Sequence, residues 1–153
     1  MAGIIKIEFL ENNTEGHNDL LFSVPGLVEE CFDSYYFIIA EGMPSVKKTL
    51  AALLDFWVQK IKALQEGNVI YLPIDFSDQY TGCLRVEMEA DKLMVDYGYS
   101  LREGWCINPR NPEDFYNSVT DFTITSESRL TIIAADFANA IKHQAVKLQE
   151  LNT

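Results

Sequence analysis

Residues 82–99 read GCLRVEMEADKLMVDYGY. Leu84, Val86 and Met88 alternate with Arg85, Glu87 and Glu89; then Leu93, Val95 and Tyr97 alternate with Met94 and Asp96. Successive side chains of an extended chain point to opposite faces, so each run is a strand with an apolar and a polar side. The link Glu89–Lys92 is far too short for the crossover that parallel neighbours need, and the two runs must pair as an antiparallel hairpin. Whatever else the chain does, it is built around a sheet that packs one face and wets the other.

What covers the packed face is also written in the sequence. Val46, Leu50, Leu53, Leu54, Trp57, Ile61 and Leu64 recur at steps of three and four, the spacing of one helical stripe. Pro44 suits the first turn of that helix and Gly67-Asn68 its exit. Leu130, Ile133, Ala134, Phe137, Ile141, Ala145 and Leu148 predict a second helix, capped by Thr125 or Ser126 with Glu127 near its positive end. Further strands are expected over 4–10, over LLFSV before Pro25-Gly26, over YYFIIA (35–40), over VIYLPIDF (69–76) and over SVTDFTIT (118–125). Pro73 cannot donate to a ladder, which places the 69–76 strand at a sheet edge. The expectation is one α+β domain over 1–153: a two-layer sandwich with an antiparallel or mixed sheet of about six strands and two helices on one face. A chain of 153 residues, 48% apolar, can bury one such core.

The formal charge of −11 is unevenly spread. Residues 1–43 and 68–127 each carry a net −7, whereas the helical segments 44–67 and 128–153 carry +2 and +1. If both helices cover one face, Glu8, Glu87, Glu89 and Asp96 project from the other, with the loop acids Asp75, Asp78, Asp91, Glu103, Glu113 and Asp114 extending the field, and form an acidic surface that would steer a cationic partner. The same charge argues against a phosphate backbone as partner, so no nucleic acid is expected. No apolar run is long enough to cross a bilayer, and no membrane association is expected. The N-terminus alternates and turns acidic without a leader pattern, and Cys31, Cys83 and Cys106 are an odd count with no C-x-x-C spacing. A reducing, cytoplasmic setting is the expectation, with neither a disulfide scaffold nor a zinc site.

Candidate chemistry is sparse. His17 and His143 lack any paired-histidine spacing, and no phosphate loop, nucleophile elbow or calcium loop occurs. Carboxylate pairs such as Asp75 with Asp78 and Glu113 with Asp114 arise readily among 23 acids and specify nothing by themselves. No catalytic residue, metal site or cofactor is expected. The segment GYSLREGWCINPRNPEDF (98–115) is the densest in chemistry, with Arg102, Trp105, Cys106 and Arg110. Trp and Arg dominate binding hot spots, so it reads as a recognition loop. The competing expectation is a further strand or bulged hairpin in which Trp105 anchors the core and Cys106 packs as a small hydrophobe.

These features point to a non-enzymatic interaction domain whose acidic face engages a basic protein partner through Glu87, Glu89, Asp96, Arg102, Trp105 and Arg110. In size, acidity and lack of catalytic signatures the chain is similar in general character to bacterial immunity proteins. That analogy implies neutralisation of a basic partner and is carried by no motif. The alternative is a small-molecule-binding domain or enzyme with a pocket between the sheet and residues 98–118. A homo-oligomer joined through an exposed strand edge or helix face is the third class.

Overall fold

The computed structural model describes residues 4–10, 18–38, 46–109, 112–113, 115 and 119–150. The hairpin read from residues 82–99 is its centre. Strand β5 (Thr81–Glu89) pairs antiparallel with β6 (Lys92–Ser100), in register from Glu89 opposite Lys92 to Thr81 opposite Ser100. Strand β4 (Val69–Phe76) adds to the free side of β5 and stands at the edge, as Pro73 requires. The other side of β6 is shared by β7 (Thr123–Ile124) against Gly98 and Tyr99 and by β8 (Leu130–Ile133) against Lys92–Val95.

A second sheet comes from the N-terminal third. Strand β1 (Lys6–Phe9), β2 (Leu20–Val24) and β3 (Val28–Phe32) form a three-stranded antiparallel meander. Gly26 closes the β2–β3 turn with a φ of 81°, a conformation in which only glycine avoids a Cβ penalty. The short helix α1 (Tyr35–Ile38) follows, then α2 (Val46–Ala63), and the chain ends in α3 (Ala134–Glu150).

Register explains the core. Leu72, Leu84 and Tyr97 lie side by side across β4, β5 and β6, as do Ile70, Val86, Val95 and Leu130. The stripe of α2, with Leu50, Leu53, Leu54, Trp57 and Ile61, is buried with them. Phe137, Ile141, Ala145 and Leu148 of α3 join the same cluster, and Lys142 reaches Asp55 of α2 at 3.2 Å. Phe22 of the small sheet meets the Trp57 ring edge-on at 6.1 Å, so both sheets and both long helices share one core. The Trp57 indole N–H donates to the Pro73 carbonyl at 3.2 Å, satisfying a backbone acceptor of the edge strand with a helix side chain.

The α+β class, the two long helices, the hairpin and the edge position of 69–76 stand. The strands divide between two sheets, of three and five. Residues 35–38 are helical, not extended: the Ser34 carbonyl accepts the Phe37 N–H, and the Asp19 carboxylate accepts both the Ser34 N–H (2.9 Å) and its hydroxyl (2.7 Å). The third strand is VEECF instead, whose exposed Glu29, Glu30 and Cys31 hide the pattern. Leu130–Ile133 belongs to β8, and α3 begins only at Ala134. Thr125 and Ser126 therefore cap no helix; their N–H groups both go to the Tyr97 carbonyl, and the Ser126 hydroxyl accepts the Tyr97 N–H. Among the described residues of 118–125, which begin at 119, only Thr123–Ile124 is extended, and Phe122 packs on Tyr71 at 5.5 Å. The expected Pro44 start of the first helix, and residues 39–40 of the expected strand, lie outside the described residues.

Candidate functional site

The expected acidic face is only partly acidic. Glu87 and Asp96 lie on the polar side of the hairpin, as their alternation requires, but they are neutralised there. Asp96 is buried: Arg129 binds its carboxylate through Nε at 3.1 Å and Nη2 at 2.8 Å, and Arg85 stands 4.0 Å away. Arg85 also donates to Glu87 at 3.0 Å. Glu89 is exposed beside the turn. Asp96 is thus an internal ion-pair partner, not part of an open surface, because Arg129 arrives from a segment 33 residues away. Among the described residues no group of three or more His, Cys, Asp or Glu side chains could hold a metal ion.

Acidity gathers instead at one end of the large sheet. Between Pro73 and Asp75 the register of β4 shifts by one residue, and this bulge sets Asp75 opposite Gly82. Bulges re-aim side chains, and here the effect is to turn a carboxylate over the cleft-facing side of β5. Gly82 leaves the room for it. A Cβ on Gly82 would stand 2.6 Å from the Tyr97 hydroxyl, 2.8 Å from Asp75 Cβ and 3.5 Å from Asp75 Oδ2. Glu30 arrives from the other sheet: it pairs with Phe22, so Glu30 and Phe32 share the side of β3 that faces Tyr97. Phe32 stacks on the Tyr97 ring at 6.2 Å, which fixes that ring between the sheets.

The result is a cleft of about 400 Å³ lined by Glu30, Asp75, Tyr80, Tyr97, Tyr99 and Leu101, with Gly82 in its floor. Asp75 is only 8% exposed, and burial pushes its carboxyl up to about 6. The Tyr80 hydroxyl, donating to Oδ2 at 3.0 Å, opposes that rise, while Asp33 and Glu30 add to it by repulsion. Tyr80 is pushed up to about 12 by burial and by Asp75. Burial, and then the Asp75 and Glu30 charges, raise the Tyr97 phenol far above its ordinary value, with no hydrogen-bonded partner among the causes. The cleft therefore holds one strained carboxylate and neutral phenols.

Of segment 98–115, Gly98, Tyr99 and Leu101 line the cleft. The Gly104 N–H donates to the Ser77 carbonyl at 2.8 Å and the Thr81 hydroxyl to the Arg102 carbonyl at 2.8 Å, laying residues 101–104 on the turn that carries Tyr80. Gly104–Cys106 is one 3₁₀ turn rather than another strand. Ile107, Phe115 and Val119 anchor the segment in the core. Trp105 does not: it is 56% exposed, its indole N–H held by Glu103 at 3.1 Å. Cys106 is exposed as well, so the packed-cysteine expectation fails with the buried Trp105. Arg102 lies over the Phe115 ring at 5.9 Å. Leu101, at 66% exposure, and Tyr80 complete an apolar border beside the acids. Arg110 and His17 lie outside the described residues, and His143 is exposed on α3.

Of the residues singled out by sequence, Arg102 and Trp105 belong to this end of the molecule, whereas Glu87, Glu89 and Asp96 sit along the hairpin's polar face. Asp75 was expected only as one of several loop acids, and Glu30, Tyr80 and Tyr97 were missed. Pro73, which favours a bulge as well as an edge, was the one available signal for Asp75. No helix among the described residues is long and apolar enough to cross a membrane. No family model, curated protein or solved structure matches the chain.

Proposed function

We propose that the protein is a non-enzymatic binding module for a basic protein partner, engaged at the cleft end of the large sheet. One observation carries the reading: Glu30 and Asp75 line one cleft with Tyr80, Tyr97 and Tyr99 beside exposed Leu101, and Trp105 stands exposed further along the same segment. Large exposed aromatics beside a desolvated charge are the composition of a binding hot spot. The net charge of −11 adds long-range attraction for a cationic partner. The acidic contribution comes from the cleft and its surrounding loops rather than from Glu87 and Asp96, which Arg85 and Arg129 already occupy.

The test is a panel of immobilised 15-residue peptides, each rich in Lys and Arg, against the same panel with those residues replaced by Gln. Charge-selected binding that weakens with salt, and falls about tenfold or more in Trp105→Ala and in Glu30→Lys, is the expected result. Binding that ignores peptide charge, or that both variants retain, overturns the proposal. The small-molecule reading has one observation in its favour: Leu101 places the 98–118 segment in the wall of a cleft whose volume suits a small ligand.

A further inference from the structure

The Tyr97 side chain is 7% exposed, and its ring is wedged against Phe32 and Phe22 at 6.2 and 6.5 Å. Its hydroxyl nevertheless borders the cleft and, among the described residues, takes part in no hydrogen bond. Among the described residues no buried side-chain oxygen or nitrogen lacks a partner, so this hydroxyl keeps its contact with solvent at the cleft and can be taken up by a ligand without breaking a bond within the protein. The missing Cβ of Gly82 lets the Tyr97 hydroxyl and Asp75 close over one point, from which they stand 2.6 and 2.8 Å. The cleft beside them is edged by a hydroxyl oxygen, a carboxylate and a second acid, Glu30.

We infer that this cleft holds a single primary ammonium, with its N–H groups shared among the Asp75 carboxylate, the Tyr97 hydroxyl and Glu30, and with Tyr80 and Tyr99 against the alkyl stem. An ammonium is a compact donor of three divergent N–H groups, which matches acceptors arriving from three strands. A guanidinium fits poorly. It needs two oxygens presented side by side, and Asp75 Oδ2 already accepts the Tyr80 hydroxyl. A quaternary ammonium has no N–H for Tyr97. The tyrosine-lined walls add cation–π attraction.

This inference rests on the proposed function for the source of the ammonium, a lysine side chain of the partner. Its chemistry is shared by a free alkylamine. Titration followed by amide NMR, with Nα-acetyl-lysine methylamide, n-butylamine, Nα-acetyl-arginine methylamide and tetramethylammonium as probes, tests it. Lysine and butylamine are expected to move the Gly82, Tyr97 and Gly98 resonances. The arginine and tetramethylammonium probes should bind at least tenfold more weakly. Tyr97→Phe, which removes one oxygen and keeps the ring stack, should weaken the lysine probe about fivefold, and Asp75→Asn should abolish the shifts, with thermal melts confirming that both variants fold. Lysine binding tighter than butylamine assigns the site to a residue within a chain; equal binding assigns it to a free amine.

Arginine binding as tightly as lysine, unchanged lysine binding in both variants, or no shift at the cleft overturns the ammonium site. Charge-selected peptide binding that survives Asp75→Asn and Tyr97→Phe overturns it too, yet leaves the basic-partner reading standing. Butylamine binding that is lost in Asp75→Asn, with no charge-selected peptide binding, does the reverse.

Discussion

Arg129 holds Asp96 side-on, Nε to Oδ1 at 3.1 Å and Nη2 to Oδ2 at 2.8 Å, and so joins the start of β8 to the middle of β6. The Arg129 guanidinium is held further above its ordinary value by this contact. Removing one partner of such a pair leaves a desolvated charge behind, which costs more than the pair contributes. Arg129→Ala is therefore expected to destabilise the protein by about 2 kcal/mol, with Arg85 at 4.0 Å limiting the loss. Arg129→Lys keeps the charge but not the fork, and should lie between. Urea midpoints for the two variants check both statements.

Asp75 works against the fold. Its carboxyl titrates near 6 in the folded chain and at its ordinary 3.8 when unfolded, chiefly because burial penalises the anion. A raised acid contributes fully to stability only below the unfolded value, and that contribution is lost as pH rises through the folded one. At pH 8 the ionised carboxylate costs on the order of 2–3 kcal/mol. Asp75→Asn keeps an oxygen to accept the Tyr80 hydroxyl and removes the charge. The variant should melt higher than wild type at pH 8, with the gain shrinking toward zero at pH 4. A destabilising group retained at a cleft is what a binding site requires, since stability and function trade against each other there.

Ala90, at the tip of the β5–β6 hairpin, has a φ of 57°, the left-handed region that penalises a Cβ. Its N–H is held by Glu66 Oε1 at 3.1 Å, so the turn has little freedom to relax. Ala90→Gly should stabilise by about 0.5–1 kcal/mol, the strain relieved exceeding the backbone entropy added to the unfolded state. A urea midpoint below that of wild type would show that the turn relaxes instead.

Much of this architecture was legible in the sequence because it depends on local pattern. The hairpin follows from period two and a minimal link, and α2 from an uninterrupted stripe. Residues 130–137 misled because Leu130, Ile133, Ala134 and Phe137 fit a helix. The β-branched run Thr131-Ile132-Ile133 is the strand signal, and β8 forms because β6 offers it an open edge. Pattern placed Asp96 on the correct face and could not reveal that face's tenant, since Arg129 comes from a distant segment. The cleft is less legible still. It needs a bulge to turn Asp75, a second sheet to bring Glu30, and a glycine whose missing side chain lets Tyr97 and Asp75 approach each other over β5.

Gly82→Ala tests that last point. The new methyl would lie 2.6 Å from the Tyr97 hydroxyl and 2.8 Å from Asp75 Cβ. The first neighbour is the tip of a side chain; the second is tied to the backbone and cannot swing away. Overpacking of this kind costs about 1–3 kcal/mol. The variant should fold with a lower melting temperature and lose binding of cationic probes at the cleft. Retained stability together with unchanged probe binding would mean that the close approach of Tyr97 and Asp75 over Gly82 is not needed.

Cation binding at the cleft should also depend on pH in a direction set by Asp75. Above pH 7 its carboxylate is ionised and attracts an ammonium; below its folded value near 6 the neutral acid gives up that attraction. A bound cation favours the ionised form and so draws the titration of Asp75 downward in the complex; the affinity starts to fall at the empty protein's value near 6 and levels off only below the lower value of the complex. Tyr80, pushed up to about 12, and Tyr97, raised further, stay neutral throughout, so no phenol competes for the transition. The affinity of Nα-acetyl-lysine methylamide is expected to be constant between pH 7.5 and 7 and then to fall, approaching tenfold per unit once Asp75 is fully protonated. The Asp75→Asn variant should bind the probe at none of these pH values. An affinity that stays level from pH 7.5 to 4.5 in the wild type would place the bound cation away from Asp75.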